Sequence, residues 1–223
     1  MPTQRSYGEA CAAAHALDLI GERWALLVVR ELLLGPKRFT DLREGLPHAS
    51  PNVVAQRLRD LESAGVIRRR KLGPPARTWV YELTEWGAEL EPVILSLGRW
   101  GARSPFRPHR AAFGVDSLVM GLKAIFDPKT AGDLSATYEI RFGDERFVLR
   151  VEDGAIDVSR GGTREPDAII DTDPKTLAAI LSRTLRFDDA LRQGAVTLTG
   201  RKGLVTRLID TLRMPELAPA PTR

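Results

Sequence analysis

The chain has 223 residues, is 43% hydrophobic and 28% charged, and carries a formal net charge of +4. That composition describes a globular protein with one large domain or two ordinary ones, and excludes a disordered or fibrous chain. The first ten residues are polar, and no apolar run approaches the roughly 20 residues that span a bilayer, so a cytoplasmic protein without membrane attachment is expected. A single cysteine, Cys11, cannot form an internal disulfide, and His15, His48 and His109 have no Cys or carboxylate at ligand spacing. No metal and no cofactor are expected.

The charge is unevenly spread. Residues 1–110 carry 17 Lys+Arg against 12 Asp+Glu, whereas residues 111–223 carry 16 against 17. The basic surplus lies wholly in the first half, where it could meet a polyanion, and two domains with two roles are expected.

In chain order, Ala13, Leu17 and Ile20 give helical spacing over Ala10 to Leu19, and a second helix is predicted over Glu22 to Leu34, apolar around most of its circumference. Gly35-Pro36 stops it, and a short helix follows over Phe39 to Glu44. Ser50 is a good N-cap and Pro51 suits the first helical position, so a longer helix begins there, runs to about Ser63 and ends before Gly65. Val54, Leu58 and Leu61 form its buried stripe, leaving Ser50, Asn52, Gln56, Arg57 and Arg59 to other faces, where they could meet base edges or phosphates. An ordinary solvated helix face would carry the same residues.

Beyond Val66-Ile67 come four consecutive cations, Arg68 to Lys71, a Gly73-Pro74-Pro75 tip and a returning segment Arg77 to Leu83, a two-stranded wing. Arg69, Arg70, Lys71 and Arg77 are candidate phosphate contacts beside the helix; a solvated charge run is the plainer alternative. A last helix is predicted over Glu85 to about Trp100, with an apolar stripe Leu90, Val93, Ile94, Leu97 and Trp100 that either packs on its own domain or pairs with a twin.

Over about residues 8–101 this order resembles the HxlR-type winged helix-turn-helix regulators, relatives of the MarR type. The resemblance is carried by Cys11, the Leu19 to Trp24 run, Phe39 to Leu42, Gln56 to Glu62 with Gly65-Val66-Ile67, Pro74 to Arg77, Tyr81 to Thr84 and Trp100-Gly101. It implies a homodimer on double-stranded DNA, reading a short palindromic operator and paired through its outer helices. Asn52 and Ala55 depart from the family pattern, where a Lys and a Ser or Thr are frequent. Some relatives use the cysteine near the first helix as an oxidation sensor, and Cys11 matches its place; Arg5 or a helix N-terminus could activate it. The alternative is a small buried core residue.

Residues 102–114 read as a linker with Pro105 and Pro108. A helix is predicted over Asp116 to Phe126, then strands of alternating polarity from Ser135, with turns at Gly143-Asp144 and Asp153-Gly154 and further strands over Ile156 to Arg160 and Asp167 to Thr172. An antiparallel meander is expected. Asp173-Pro174 opens another helix, then Asp188 to Gln193, a strand Ala195 to Thr199 and a final helix Leu204 to Leu212, before a loose tail over 214–223.

The Ala168 to Pro174, Phe187 to Leu191 and Gly194 to Gly200 segments resemble the sterol carrier protein domain over about 115–213. That resemblance implies a sheet covered by helices around an apolar tunnel. Tyr138, Ile140, Phe147, Leu149, Leu177, Leu181, Leu204 and Leu208 are its candidate ligand-binding residues; filling a closed core is the alternative.

The expected fold is therefore a mainly α winged helix-turn-helix domain over 1–101 and an α+β domain with a mostly antiparallel sheet covered by helices. The expected function is a non-enzymatic DNA-binding transcription regulator, a repressor in the first instance, whose second domain could sense an apolar small molecule or lipid. The other reading is a lipid-binding carrier or scaffold whose basic half binds a membrane or a protein partner. No catalytic set is placed to do chemistry.

Overall fold

A computed structural model describes residues 6–106 and 114–220. Most of the expected linker, at 107–113, lies outside the described residues. The chain divides into two compact units between Ile94 and Leu95.

The first unit holds α1 (Ala12–Ile20), α2 (Ala25–Leu32), α3 (Phe39–Gly45), α4 (Pro51–Ser63), the strands β1 (Ile67–Lys71) and β2 (Trp79–Leu83), and α5 (Glu85–Ala88). The second helix starts three residues later than its apolar pattern suggests, because Trp24 ahead of it sits in the left-handed region at φ 78°. Val28, Val29, Leu32, Leu42, Val54, Leu58 and Leu61 form one core. β1 and β2 pair antiparallel, Ile67 opposite Leu83 and Lys71 opposite Trp79, and Lys37 adds a bridge to Tyr81. Gly87 lets α5 press on the base of the wing, since a Cβ there would meet the Val66 carbonyl oxygen at 1.9 Å.

The single helix expected from Glu85 to Trp100 is two. α5 ends at Ala88, Leu90 N–H bonds back only to Gly87, and α6 (Glu91–Ala102) begins afresh. Pro92 is the physical reason: it has no N–H, and its ring would clash with the carbonyl four residues back if the helix continued. Leu90 and Ile94 pack on the first core, while Val93, Leu97 and Trp100 are exposed.

The second unit adds α7 (Val115–Ile125), α8 (Pro128–Ala131), β3 (Ala136–Phe142), β4 (Glu145–Glu152), β5 (Ala155–Arg160), β6 (Ala168–Asp171), α9 (Pro174–Leu181), α10 (Phe187–Arg192), β7 (Thr197–Gly200) and α11 (Lys202–Thr211). The sheet order is β5-β4-β3-β6-β7. β3, β4 and β5 form the expected meander, but β6 does not continue it. It crosses back to lie parallel to β3, Tyr138 opposite Ala168, anchored by Thr137 N–H to the Asp167 carboxylate at 2.8 Å and Asp167 N–H to the Thr137 carbonyl at 2.7 Å. The sheet is thus mostly antiparallel with one parallel pair. Tyr138, Ile140, Phe147, Leu149 and Ile170 are buried, as are Leu122 of α7, Leu177 of α9 and Leu208 of α11. The tail is not loose where it is described: Ala218 N–H bonds to the Arg103 carbonyl and the Arg103 side chain to the Glu216 carbonyl.

Candidate nucleic-acid interface

The first four N–H groups of a helix have no partner within it, and at α4 the chain supplies one for Val53. The Ser50 hydroxyl accepts from Val53 N–H at 3.3 Å, with Pro51 at the first helical position. Val54, Leu58 and Leu61 fix the inner face of α4, which leaves Asn52 and Arg59 exposed and Gln56 and Arg57 half-buried.

These side chains are not equivalent. Arg57 is turned to a structural task, its guanidinium 3.1 Å from both Glu22 and Asp60, which ties α4 to the segment ahead of α2. Expected on an outward face of α4, it is half-buried instead, because two carboxylates hold it along the domain. Gln56 donates to Asp60 at 2.7 Å and accepts from Arg59, so its amide is oriented by the helix before any partner arrives. Asn52 and Arg59 stand at the surface.

The wing likewise sorts its cations. In the register, Arg68 lies opposite Glu82 and Arg70 opposite Val80, on one face; Arg69 and Lys71 lie opposite Tyr81 and Trp79, on the other. On the first face Glu82, only 9% exposed, accepts from Arg68 Nε at 2.7 Å and from Arg70 Nε and Nη2 at 2.8 to 3.0 Å. The Arg70 hydrogen bond, aided by Arg68, holds the Glu82 carboxyl below the usual carboxylate range against the opposing effect of burial. Arg70, expected to meet phosphate, is already occupied by a fork-to-carboxylate pair. On the second face the Arg69 guanidinium lies 4.5 Å from the centre of the Trp79 ring, and Lys71 and Arg77 are exposed. A carboxylate opposite an arginine run was visible in the sequence; the hairpin register identifies it as Glu82.

Cys11, at the N-cap of α1, is exposed rather than a core residue. The backbone N–H groups of Ala14 and Ala13 lower its thiol pKa. Arg5 lies outside the described residues.

Residues 19–107 match the family model for the HxlR-like helix-turn-helix. The chain is 39% identical to the uncharacterized HTH-type transcriptional regulator YdeP of Bacillus subtilis over 97 residues, which is 43% of this chain and 74% of that protein. The chain belongs to the HxlR-like helix-turn-helix family. It is a DNA-binding regulator by that membership. It is also 35% identical over 85 residues to the HTH-type transcriptional regulator YodB of Bacillus subtilis, covering 38% of this chain and 76% of YodB. The solved structure of quinone-bound YodB covers 40% of this chain and 93% of its own at 32% identity, with a TM-score of 0.35.

In this HxlR-like chain the second half matches a different model, the alkyl sulfatase C-terminal domain, over residues 116–218. The sterol carrier likeness rests on the sequence pattern alone. Of its eight expected ligand-binding residues, Ile140, Leu177 and Leu208 line an apolar cavity with Leu122, Ile170 and Val205, and the cavity measures about 20 Å³. That is room for about one water, not a lipid. Tyr138, Phe147, Leu149, Leu181 and Leu204 do not line it: the first four are buried side chains in the packed core, and the Leu204 carbonyl accepts from the Tyr138 hydroxyl at 3.0 Å. Burial pushes the Tyr138 phenol up to about 12. A larger cleft of about 490 Å³ adjoins it, between Ile180, Arg183, Arg186 and Phe187 on one side and Lys202, Thr206 and Ile209 of α11 on the other.

Proposed function

We propose that the chain is a homodimeric repressor that reads a palindromic operator, seating α4 in the major groove and the wing on the adjoining backbone. The observation that carries this reading is the pairing of a capped, inwardly anchored α4, whose Asn52, Gln56 and Arg59 remain at or near the surface, with a wing that keeps Arg69, Lys71 and Arg77 exposed. Phosphate contacts would set register and α4 would read bases. Ser50 contributes through its cap rather than through a base contact. The exposed Val93, Leu97 and Trp100 of α6 supply an apolar stripe suited to pairing with a second copy. Gel shifts with genomic fragments test the reading: saturable, sequence-selective shifts at physiological salt, with dimers by sedimentation, support it. Shifts that are weak and equal on every fragment would instead favour a carrier or scaffold whose basic half serves another partner.

The second unit is, in this proposal, a sterol carrier-like sensor of an apolar molecule or lipid. The 490 Å³ cleft favours this, because Ile180, Phe187 and Ile209 line both it and the small inner cavity, so a ligand entering the cleft would need only these side chains to move. Mass spectrometry of small molecules released from the purified protein tests it. A redox role for Cys11 is favoured by its exposure and lowered thiol pKa; loss of operator binding on mild oxidation, absent in Cys11→Ser, is the expected sign.

A further inference from the structure

The wing carries four consecutive cations, yet the strand pairing cancels part of that charge at its source. Arg68 and Glu82 face each other across the hairpin, and Arg70 lies two residues along the same face, so the register itself delivers one carboxylate between two guanidiniums. Both Nε atoms and one Nη2 point at it within 3.0 Å. The arrangement has one buried end and one open end: the Glu82 side chain is 11% exposed, while those of Arg68 and Arg70 are 65% and 47% exposed. A buried carboxylate needs a cation, but a single guanidinium would neutralise it, and here two are held. In a protein that binds a polyanion, the same two cations matter far more, since each phosphate contact contributes about 0.9 to the slope of log affinity against log salt.

We propose that Glu82 is a specificity-determining residue of the DNA interface, withholding Arg68 and Arg70 from phosphate so that each wing meets DNA with Arg69, Lys71 and Arg77. The proposal rests on the DNA-binding reading and adds to it which wing cations are spent and which are kept back. A long cation with nothing to hold it finds a phosphate on any duplex. In the operator complex the position of the wing is fixed by α4, and fewer phosphates are within reach. Withholding two cations per wing therefore weakens random binding more than operator binding and widens the ratio between them. On the other face Arg69 is held too, but by the Trp79 ring, which engages the face of the guanidinium and does not consume its N–H donors.

Glu82→Gln keeps the shape and removes the charge. It is expected to raise affinity for random duplex, to steepen the salt slope on that duplex by up to about 3.6 for a dimer, four cations at about 0.9 each, and to lower the operator-to-random ratio. Arg70→Gln alone should leave the wild-type slope within about one unit, and should lower it when built on Glu82→Gln. A second measurement needs no variant at all. In the wild-type protein the Nε–Hε resonances of Arg68 and Arg70 should hold their positions as operator is added, while that of Arg69 moves. An unchanged slope or an unchanged ratio in a normally melting Glu82→Gln protein overturns the proposal, as does an Arg70 resonance that shifts with DNA as Arg69 does. If the wild-type protein binds no duplex saturably, the DNA-binding reading falls and takes this proposal with it; if it binds and the variant behaves as wild type, only the role of Glu82 falls.

Discussion

Both units pair some of their cations and leave others open, but the first gathers open ones at the wing. In the second, ion pairs join Arg141 to Glu139, Arg160 to Asp116 and Glu145, Arg192 to Asp189, Arg201 to Asp167, Lys202 to Asp188 and Arg207 to Asp133. In the first, Glu31 meets Arg30 and Lys37, and Arg57, Arg68 and Arg70 are met in the same manner, whereas Arg69, Lys71 and Arg77 stand together at the wing, exposed or against an aromatic ring. Net charge alone would have pointed to the whole basic half. The pairing narrows it to a few side chains at the wing and the surface of α4, because a cation already facing a carboxylate contributes little field to a phosphate backbone.

The comparison can be broken by substitutions of decreasing effect. Arg69→Ala with Lys71→Ala should reduce binding to all DNA alike and lower the salt slope by up to about 3.6 in a dimer, measured by fluorescence anisotropy across a salt series; Arg207→Ala in the second unit should leave that slope unchanged. Equal slopes for both proteins would mean that pairing does not mark the interface. Gln56→Ala sharpens the reading within α4: a loss of about 1 to 3 kcal/mol on operator and little on random duplex is expected if the pre-oriented amide reads a base edge. Equal losses on both would make it a positioning residue. Tyr138→Phe removes the buried hydrogen bond to the Leu204 carbonyl and should cost about 0.5 to 1.5 kcal/mol of second-unit stability in denaturant unfolding, with DNA affinity untouched.

Much of the first unit was legible because its punctuation is local. Ser50-Pro51 and Gly65 bracket α4, and Gly73-Pro74-Pro75 separates two short β-rich runs. The split of α5 from α6 was legible too, in Pro92, but the apolar stripe on either side of it suggested one continuous helix. The partners of Arg57 and Arg70 were not legible for a different reason: helical and strand periodicity says which face a side chain is on, not whether a carboxylate from elsewhere in the fold is waiting there. Glu22 is 35 residues from Arg57, and Glu82 reaches Arg70 only through the hairpin register. In the second unit the strands and helices could be read from their periods, while the place of β6 could not, since a four-residue apolar strand fits beside β5 or beside β3 equally well. The ligand-binding expectation shows the same limit, because an apolar stripe does not reveal whether the space between layers is open or filled.

The parallel seam between β3 and β6 also bears on how the second unit assembles in time. The β3–β4 and β4–β5 hairpins close over two-residue turns at Gly143-Asp144 and Asp153-Gly154, where both glycines hold a positive φ. Such pairings form among near neighbours and lose little chain entropy. β6 must instead find Tyr138 from Ala168, across the whole meander, and only then can β7 add at the edge against Ile169 and Ile170. Non-local pairing of this kind sets the slow step of folding. Ile170→Val, at the β3–β6 seam, should therefore slow refolding in stopped-flow experiments. During synthesis the meander emerges with one edge of β3 unpaired until β6 (Ala168–Asp171) follows Arg160 out of the ribosome, and Glu139 and Arg141 place charges on that waiting strand, which disfavours pairing with a neighbouring chain.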